Sequence, residues 1–377
     1  MSDKAMNQSR FMLKALSLAE QGKGFTPPNP CVGALLVSGD RILGRGWHRA
    51  CGDNHAEVEA IENARQNAAD LTGCTMYVTL EPCNHHGRTP PCTRAILEAG
   101  IPEVVIGARD TNSFVQGGGA EYLKSRGIKV TIGVEEQKCL DLIADFCLWQ
   151  KSGRPYVYLK TASTLDGRIG TRTGHSRWVT SVNARQVVHH LRSRTGAVLV
   201  GGNTFYQDNP ELTCRTHKVE QQPLAVIITS RLPDPKQNWY LLQQRPTRTV
   251  FWTNTSAAGS EAARRLVDLG CKVMGLDRDA SGLDLLQGLQ RLRSEMGVYH
   301  LMCEGGGKLA AGLLQQGLVD ELWAFVALKI LGDEQGIPVS SGRDVQLMHD
   351  TLDFRLGEIV NLGPELLLKL FPRQQNC

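Results

Sequence analysis

The sequence predicts an α/β protein made of two domains. Its 377 residues exceed what a single hydrophobic core usually organises. Apolar runs of strand type alternate with helix-forming segments up to residue 149, and the alternation starts again at residue 156. The intervening Lys-Ser-Gly-Arg-Pro at 151–155 has the turn chemistry of a linker. We therefore predict one domain at residues 1–150 and a second at residues 151–377.

The first predicted domain begins with a helix. Apolar residues at helical spacing predict this helix over residues 10–22, and the Gly- and Pro-rich segment 22–30 must follow it as a loop. The remaining elements, in chain order, are a strand at 32–37, a helix at 55–67, a strand at 77–80, a helix at 93–99, a strand at 103–107, continued alternation to residue 132, and a closing helix at 135–149. This order is typical of an α/β domain.

The second predicted domain repeats the alternation without repeating the sequence of the first. Its elements, in chain order, are a strand at 157–161, a helix at 183–194, strands at 197–200, 224–229 and 249–252, a helix at 260–269, a strand at 272–274, a helix at 282–294, a strand at 300–303, a helix at 307–316 and a strand at 321–327. The order indicates a doubly wound α/β sheet.

The composition favours a soluble globular protein of a reducing compartment. Hydrophobic residues make up 41% of the chain and charged residues 21%, and no run of about 18 apolar residues could span a bilayer. The net charge of +4 is dispersed along the chain, which argues against a nucleic-acid surface. The N-terminal segment lacks the apolar core of a secretory signal, so we expect a cytoplasmic protein. Its eleven cysteines then indicate buried thiols or metal ligands rather than disulfides.

A metal site is indicated by three side chains in the first domain. His55 precedes a predicted helix, Cys83 follows a predicted strand, and Cys92 opens the next helix. One imidazole and two thiolates suit a single Zn²⁺ ion and leave a fourth tetrahedral position open for water. Glu57 lies two residues beyond the first ligand, so we predict that it shuttles a proton at this open position.

The spacing of these residues departs from the general pattern of zinc nucleobase deaminases. That pattern is His-x-Glu followed by Pro-Cys-x-x-Cys, whereas here eight residues, 84–91, separate the two cysteines. This loop resembles its counterpart in the bacterial deaminase/reductases of riboflavin biosynthesis, the RibD family. Further matching motifs are Pro-Asn-Pro-Cys-Val-Gly at 28–33, Gly-Arg-Gly-Trp-His at 44–48, Gly-Asp-Asn-His-Ala-Glu at 52–57 and Thr-Leu-Glu-Pro-Cys at 79–83. The resemblance implies a cytidine-deaminase-like three-layer α/β/α domain.

Several polar neighbours of the predicted zinc site have alternative interpretations. Asn29 either binds the edge of a pyrimidine substrate or forms a turn before Pro30. His85 and His86 either contact the substrate, support the metal ligands, or are structural. For His48 the resemblance favours a contact with the substrate.

The second domain resembles the reductase half of the same family, which has a dihydrofolate-reductase-like α/β fold. The matching segments are 160–169, 176–181 and 202–210, together with Leu212, Thr213 and Arg215. The resemblance thus extends over nearly the whole chain. It implies NADPH contacts at Ala162, Trp178, Thr204, Asp208, Ser230, Gly306, Gly307, Lys308, Leu309, Ala310, Ala311 and Gly312. It implies substrate contacts at Ser176, Arg192, Leu212, Arg215 and Glu304.

Physical arguments support parts of this assignment. The glycine triplet after Glu304 follows a strand and opens a helix, so its amides can face a pyrophosphate, although a tight turn needs the same residues. Arg192 and Arg215 suit a phosphate, or are solvated surface charges. Ser230 with Arg231 suits the 2′-phosphate of NADPH. Lys160 either contacts the sugar or only flanks a strand.

The function that the resemblance implies has two steps. Zinc-dependent deamination of 2,5-diamino-6-ribosylamino-4(3H)-pyrimidinone 5′-phosphate is followed by NADPH-dependent reduction of the ribosyl chain. The expected partners are these small molecules and further copies of the chain, in a homo-oligomer formed through the second domain.

Two other functions fit the sequence less well. A nucleic-acid-editing deaminase is disfavoured, because the short Cys-x-x-Cys spacing and basic clusters are missing and a second α/β domain is present. A scaffold with structural zinc is disfavoured, because such a site has no use for Glu57.

Overall fold

The structure is a computed structural model, and it divides into two compact units, Met1–Ser152 and Gly153–Cys377. It describes residues 3–67, 70–85, 90–110, 118–176, 179–216, 219, 221–279 and 282–373. No helix within these ranges is both long enough and apolar enough to cross a membrane.

Unit 1 is built around a mixed sheet. Its strands are β1 (Gly33–Ser38), β2 (Arg41–Trp47), β3 (Thr75–Leu80), β4 (Glu103–Ala108) and β5 (Lys129–Ile132). Its helices are α1 (Asp3–Ala19), α2 (Ala56–Gln66), α3 (Cys92–Glu98), α4 (Gly119–Ser125), α5 (Glu136–Leu142) and α6 (Ala144–Ser152), with a short 3₁₀ turn at Glu20–Gly22. Within the described part of the chain the strand order is β2-β1-β3-β4-β5, and β3, β4 and β5 are parallel.

Helices cover both faces of this sheet because neighbouring strand residues point to opposite sides. Leu36 and Val78 pack in one core with residues of α2, α3 and α4. Leu35 and Tyr77 pack in a second core with residues of α1 and α5. Unit 1 is therefore a three-layer α/β/α domain, as the resemblance implied.

Unit 2 contains a larger sheet. Its strands are β6 (Tyr156–Thr164), β7 (Arg168–Gly170), β8 (Ala197–Gly201), β9 (Leu224–Ile228), β10 (Thr249–Asn254), β11 (Lys272–Leu276), β12 (Arg278–Asp279), β13 (Gly282–Leu283), β14 (His300–Cys303), β15 (Glu321–Ala327), β16 (Ile337–Pro338), β17 (Phe354–Asn361) and β18 (Glu365–Pro372). Its helices are α7 (Val182–Arg194), α8 (Gly202–Asp208), α9 (Tyr240–Gln244), α10 (Thr255–Ala258), α11 (Glu261–Asp268), α12 (Leu285–Met296) and α13 (Gly307–Gln315), with 3₁₀ turns at Pro246–Arg248 and Met348–Asp350.

Over the described residues, nine strands of unit 2 form one sheet in the order β11-β10-β9-β8-β14-β6-β15-β18-β17. The strands from β11 to β15 run parallel to one another, whereas β18 is antiparallel to both of its neighbours, β15 and β17. Val157, Leu199 and Trp252 face a core that α12 and α13 cover. The carboxyl ends of the parallel strands consequently share one edge of the sheet.

The main differences from the sequence predictions lie at three elements. The closing helix expected at 135–149 is two helices, α5 and α6, because the backbone leaves the helical region at Ile143, with ψ at 12°. Strand β2 and the hairpin of β17 and β18 were not predicted.

Candidate active sites

Three local chain positions bring the predicted zinc ligands together. His55 is the residue that caps the start of α2, Cys83 follows β3, and Cys92 is the first residue of α3. The Nδ1 atom of His55 lies 3.2 Å from Sγ of Cys92 and 3.7 Å from Sγ of Cys83. All three ligand atoms lie within 4.8 Å of one another. The three residues that the sequence analysis groups as metal ligands are therefore close together in the structure.

The geometry of this group fits a zinc ion. Zinc lies about 2.3 Å from sulfur and about 2.0 Å from nitrogen, so two ligands of a tetrahedral ion are separated by roughly 3.5 Å. The two separations measured from His55 Nδ1 are close to this value. One imidazole and two thiolates leave the fourth position of the ion to a water molecule or a substrate.

The thiols of this group differ in their tendency to ionise. The pKa of Cys83 is lowered to about 4, first because the Cys92 side chain hydrogen-bonds to it and then because His55 lies beside it. The backbone N–H of Cys92 also donates to Sγ of Cys83, at 3.4 Å. The pKa of Cys92 is raised, first because its thiol donates a hydrogen bond to Cys83 and then because it is buried. A thiolate is the form that binds metal, and a bound cation favours this form at both cysteines.

Glu57 lies beside this group, in the first turn of α2. Its side chain is buried, with 3% exposure, and burial raises its pKa to about 7, with a further increase from the negative charge of Cys83. A cation held by the three ligands acts in the opposite direction on this pKa. A buried carboxyl group here can both accept and release a proton.

A cavity of about 500 Å³ opens in front of the ligands. Its walls include Asn29, His48, Glu57, Glu81, His85, Asp110 and Phe146. The Nδ1 atom of His48 lies 3.0 Å from the carbonyl oxygen of Asn54, so Nδ1 donates and Nε2 accepts from the Asn29 amide at 3.1 Å. Burial lowers the pKa of His48, which favours this neutral ring. Asn29, His48 and His85 thus lie where a substrate would bind, whereas His86 lies outside the described residues.

The reductase residues predicted from the sequence gather at one edge of the large sheet. Ala162 lies near the carboxyl end of β6, and Glu304 directly follows β14. Thr204 and Asp208 lie on α8, which directly follows β8, and Ser230 follows β9. Since β9, β8, β14 and β6 are neighbours, these positions share the carboxyl edge of the sheet.

The predicted substrate residues form a charged cluster at this edge. Nε of Arg192 donates to Oε1 of Glu304 at 2.7 Å, and its Nη1 donates to the carbonyl oxygen of Thr213 at 3.0 Å. Both partners of the ion pair are largely buried, with side-chain exposures of 12% and 13%. Arg215 is more exposed and pairs with Glu211 at 3.0 Å. Arg192 is therefore a fixed and buried charge, whereas Arg215 lies at the surface.

The glycine turn leaves room for a phosphate group. Gly306 caps the start of α13, and a Cβ atom placed on it would meet no atom within 4 Å. A Cβ atom on Gly307 would lie 2.8 Å from the carbonyl oxygen of Pro338, so only glycine fits there without a shift. The open side of Gly306 gives a pyrophosphate access to the amides at the helix start. Of the later residues in this turn, Ala310 and Ala311 are buried in the core.

Ser176 and Trp178 complete the set of predicted reductase residues. Ser176 is exposed and follows β7, and Trp178 lies outside the described residues.

The structure adds two neighbours of the charged cluster, Arg245 and His189, that the sequence did not indicate. The backbone of Leu212 has a φ of +51°, a left-handed conformation that is strained for leucine. Arg245 holds this segment, because its guanidinium donates to the carbonyl oxygens of Glu211 at 2.8 Å and of Pro223 at 2.5 Å. His189 lies one turn before Arg192 on α7 and accepts from the backbone N–H of Arg215 at 3.4 Å. No local sequence pattern indicates Arg245 or His189, because their hydrogen-bond partners lie more than twenty positions away in the chain.

Comparison with family models shows which protein family the chain belongs to. The family model described as RibD C-terminal domain matches residues 155–368. The chain belongs to the RibD family. Residues 5–108 match the cytidine and deoxycytidylate deaminase zinc-binding region. The deaminase match falls in unit 1, and the RibD C-terminal match falls in unit 2.

Individual RibD proteins are similar over nearly the full length. RibD of Aquifex aeolicus is 40% identical, with 95% of this chain and 96% of the relative covered, and RibD of Escherichia coli is 35% identical, with 97% and 99% covered. A crystal structure from Thermotoga maritima, titled diaminohydroxyphosphoribosylaminopyrimidine deaminase/5-amino-6-(5-phosphoribosylamino)uracil reductase, superposes with a TM-score of 0.79 at 35% identity and covers 98% of this chain and 100% of its own. RibD of Acinetobacter baumannii gives a TM-score of 0.76 at 34% identity, with the same coverage.

Membership of the RibD family confirms several predictions made from the sequence. The chain is a bifunctional enzyme of riboflavin biosynthesis, with a deaminase domain and a reductase domain. The expected cofactors, zinc for the deaminase and NADPH for the reductase, are confirmed as well. The roles of individual residues stay predictions.

Proposed function

We propose that this chain deaminates 2,5-diamino-6-ribosylamino-4(3H)-pyrimidinone 5′-phosphate in residues 1–150 and reduces the product in residues 151–377. The final product is 5-amino-6-ribitylamino-uracil 5′-phosphate. The observation that carries the proposal is the convergence of His55, Cys83 and Cys92 beside the buried Glu57 in a cavity of about 500 Å³. The name of the Thermotoga maritima relative, a diaminohydroxyphosphoribosylaminopyrimidine deaminase and 5-amino-6-(5-phosphoribosylamino)uracil reductase, supports the choice of substrates.

In the deaminase step, His55, Cys83 and Cys92 hold the metal. Zinc supplies Lewis-acid activation of a water molecule when it is bound. The carboxylate of Glu57 takes a proton from the attacking water and passes it to the exocyclic nitrogen, which leaves as ammonia. Burial of Glu57 keeps bulk water from competing for this proton.

The substrate ring is oriented by polar groups of the cavity wall. The ring of His48 is fixed by Asn54 on one side and by Asn29 on the other, so these side chains form a rigid edge. Such an edge suits the hydrogen-bonding groups of a pyrimidine. His85 lines the same cavity and contacts the substrate beyond the ring.

In the reductase step, charged residues hold the sugar phosphate. Arg215 binds the phosphate, together with Ser176, because its guanidinium is exposed and can donate two hydrogen bonds. Arg192 and Glu304 fix each other and position the ribosyl chain next to Leu212. The Lys160 side chain lies close enough to Glu304 and Arg192 for their charges to act on its pKa, which burial lowers. We therefore assign Lys160 to the sugar.

NADPH supplies the hydride for this step and is held along the same edge of the sheet. The amides of Gly306, Gly307 and Lys308 bind the pyrophosphate, because the amides from Leu309 onward already donate within α13. Residues 309–312, with Ala162, Trp178, Thr204 and Asp208, complete the binding site. Ser230 and Arg231 bind the 2′-phosphate. The Arg231 guanidinium lies 4.4 Å from the ring centre of Tyr206, whose hydroxyl donates to the Arg231 carbonyl oxygen. This support keeps Arg231 beside the cofactor.

We further propose a cytoplasmic homo-oligomer that binds small molecules and no nucleic acid. Strand β17 lies at the end of the sheet in unit 2, and its Leu356 and Ile359 are more than half exposed. An apolar edge strand favours pairing with a second copy. Analytical ultracentrifugation of the purified chain tests this, and a monomer at micromolar concentration would contradict it.

The two-step reaction is tested by a coupled assay on purified protein with one zinc ion per chain. Ammonia release from the diaminopyrimidine substrate is followed first, and the loss of NADPH absorbance is followed next. Both signals in this order are the expected result. Ammonia without NADPH loss would overturn the reductase assignment, and neither signal would overturn both.

A further inference from the structure

Glu81 lies two residues before the predicted ligand Cys83 and has no role in the chemistry above. Its side chain is buried, with 8% exposure, and it forms part of the cavity wall. Each carboxylate oxygen accepts a backbone N–H: Oε1 from Ala120 at 2.9 Å, and Oε2 from Asp110 at 3.3 Å. The N–H of Glu81 donates to the carbonyl oxygen of Ala108 at 2.9 Å. Glu81 thus connects the end of β3 to Asp110, which follows β4, and to Ala120 at the start of α4.

The start of α4 packs against the same point. A Cβ atom on Gly119 would lie 1.8 Å from the carbonyl oxygen of Pro82, and one on Gly118 would lie 3.0 Å from Oε1 of Glu81. These approaches place the backbone of α4 directly against the residue before Cys83. The position of Cys83 therefore depends on how firmly the start of α4 is held against Pro82.

Other roles for Glu81 fit less well. Among the described residues, the metal-binding group consists of His55, Cys83 and Cys92, without Glu81. Both oxygens of Glu81 already accept from amides, which suits a fixed carboxylate rather than a proton carrier.

We propose that Glu81 is a positioning residue of the zinc site, which fixes Cys83 by clamping Asp110 and Ala120 to the end of β3. The inference rests on the proposed ligand set. In Glu81→Gln, one of the two backbone N–H groups faces an amide NH₂ instead of an oxygen, so one anchor is lost. Loss of a group that orients a metal ligand typically weakens metal binding about 10- to 100-fold.

The test compares Glu81→Gln with Glu121→Gln in the full chain. Glu121 lies on α4, is 56% exposed, and pairs with Arg109 at the surface, so its substitution is a matched control. Zinc affinity is measured by competition with a chromophoric chelator, and reductase activity on the aminouracil substrate reports folding. We expect about tenfold or greater weakening of zinc binding in Glu81→Gln and a change of less than about twofold in the control. Unchanged zinc affinity in Glu81→Gln would overturn the inference.

Two further measurements keep the test decisive. If Glu81→Gln fails to fold, hydrogen exchange in the unsubstituted protein examines the Ala120 and Asp110 amides directly. Protection of both supports the clamp, and exchange as fast as in an exposed loop overturns it. Cys83→Ser tests the ligand set separately. If Cys83→Ser weakens zinc binding and Glu81→Gln does not, the inference about Glu81 fails, whereas unchanged binding in Cys83→Ser overturns the ligand set on which it rests.

Discussion

Replacement of Glu57 by glutamine tests the proposed proton transfer. Glutamine preserves the size of the side chain and its capacity for hydrogen bonds, but it cannot carry a proton. General acid–base catalysis contributes about 10²- to 10⁴-fold in rate, which corresponds to about 3–5 kcal/mol in the barrier. Because Glu57 is 3% exposed, bulk water has little access to replace it. We therefore expect the rate of ammonia release to fall by at least about 100-fold.

The assay measures ammonia release, bound zinc and reductase activity in the same preparation. Glu62→Gln is the control, because Glu62 is an exposed residue of the same helix and undergoes the same chemical change. Zinc content and NADPH oxidation on the aminouracil substrate should stay at the level of the unsubstituted protein in both variants. Ammonia release at the normal rate by zinc-loaded Glu57→Gln would refute the reasoning. Loss of zinc from this variant would instead indicate that Glu57 is a ligand.

Further predictions concern unit 2. Arg215→Ala should raise KM for the reductase substrate about tenfold or more, because a hydrogen bond to a charged group contributes about 1.5–3 kcal/mol; an unchanged KM would exclude a phosphate contact. Arg231→Ala should reduce kcat/KM with NADPH much more than with NADH, and equal losses would argue against binding of the 2′-phosphate. Asp320→Asn should lower the free energy of unfolding by about 3 kcal/mol in urea titration, since Arg154 is 8% exposed and donates to both carboxylate oxygens at 2.6 and 2.8 Å. A loss below about 1 kcal/mol would contradict this last estimate.

The zinc site could be predicted from the sequence because each ligand lies at the end of a local element. His55 caps α2, and Cys92 opens α3, so the helix starts visible in the sequence already fix both positions. The family resemblance then supplied the unusual spacing between Cys83 and Cys92. Glu81 was part of a quoted motif, yet its partners Ala120 and Asp110 could be found only in the structure.

Strand β2 was missed for a physical reason. Its glycines, Gly44 and Gly46, lower the strand signal in the local sequence. In the fold, a Cβ atom on Gly44 would lie 2.2 Å from the carbonyl oxygen of Ala60, and one on Gly46 would lie 2.2 Å from that of Ala56. The glycines are needed because α2 packs directly across the strand, and only the tertiary structure shows this.

The reductase cluster was accessible only through the family resemblance. Arg192 and Glu304 are 112 positions apart, and Arg245 reaches the segment at Leu212 across 33 positions. Hydrophobic periodicity indicates strands and helices, but it carries no information on which charged side chains will pair. The hairpin of β17 and β18 was missed for a related reason, since β18 pairs with the distant β15.

Both units place their chemistry at the carboxyl ends of neighbouring parallel strands. In unit 1, Cys83 follows β3 and Asp110 follows its parallel neighbour β4. In unit 2, Glu304 follows β14, between β8 and β6 in the sheet. Side chains that follow such strands can differ without disturbing the packing of the core, because they lie beyond the strand ends. Added contacts then fix their positions. In unit 1 the buried Glu81 accepts from the backbone of Asp110 and Ala120, and in unit 2 Glu304 accepts from Arg192 of α7.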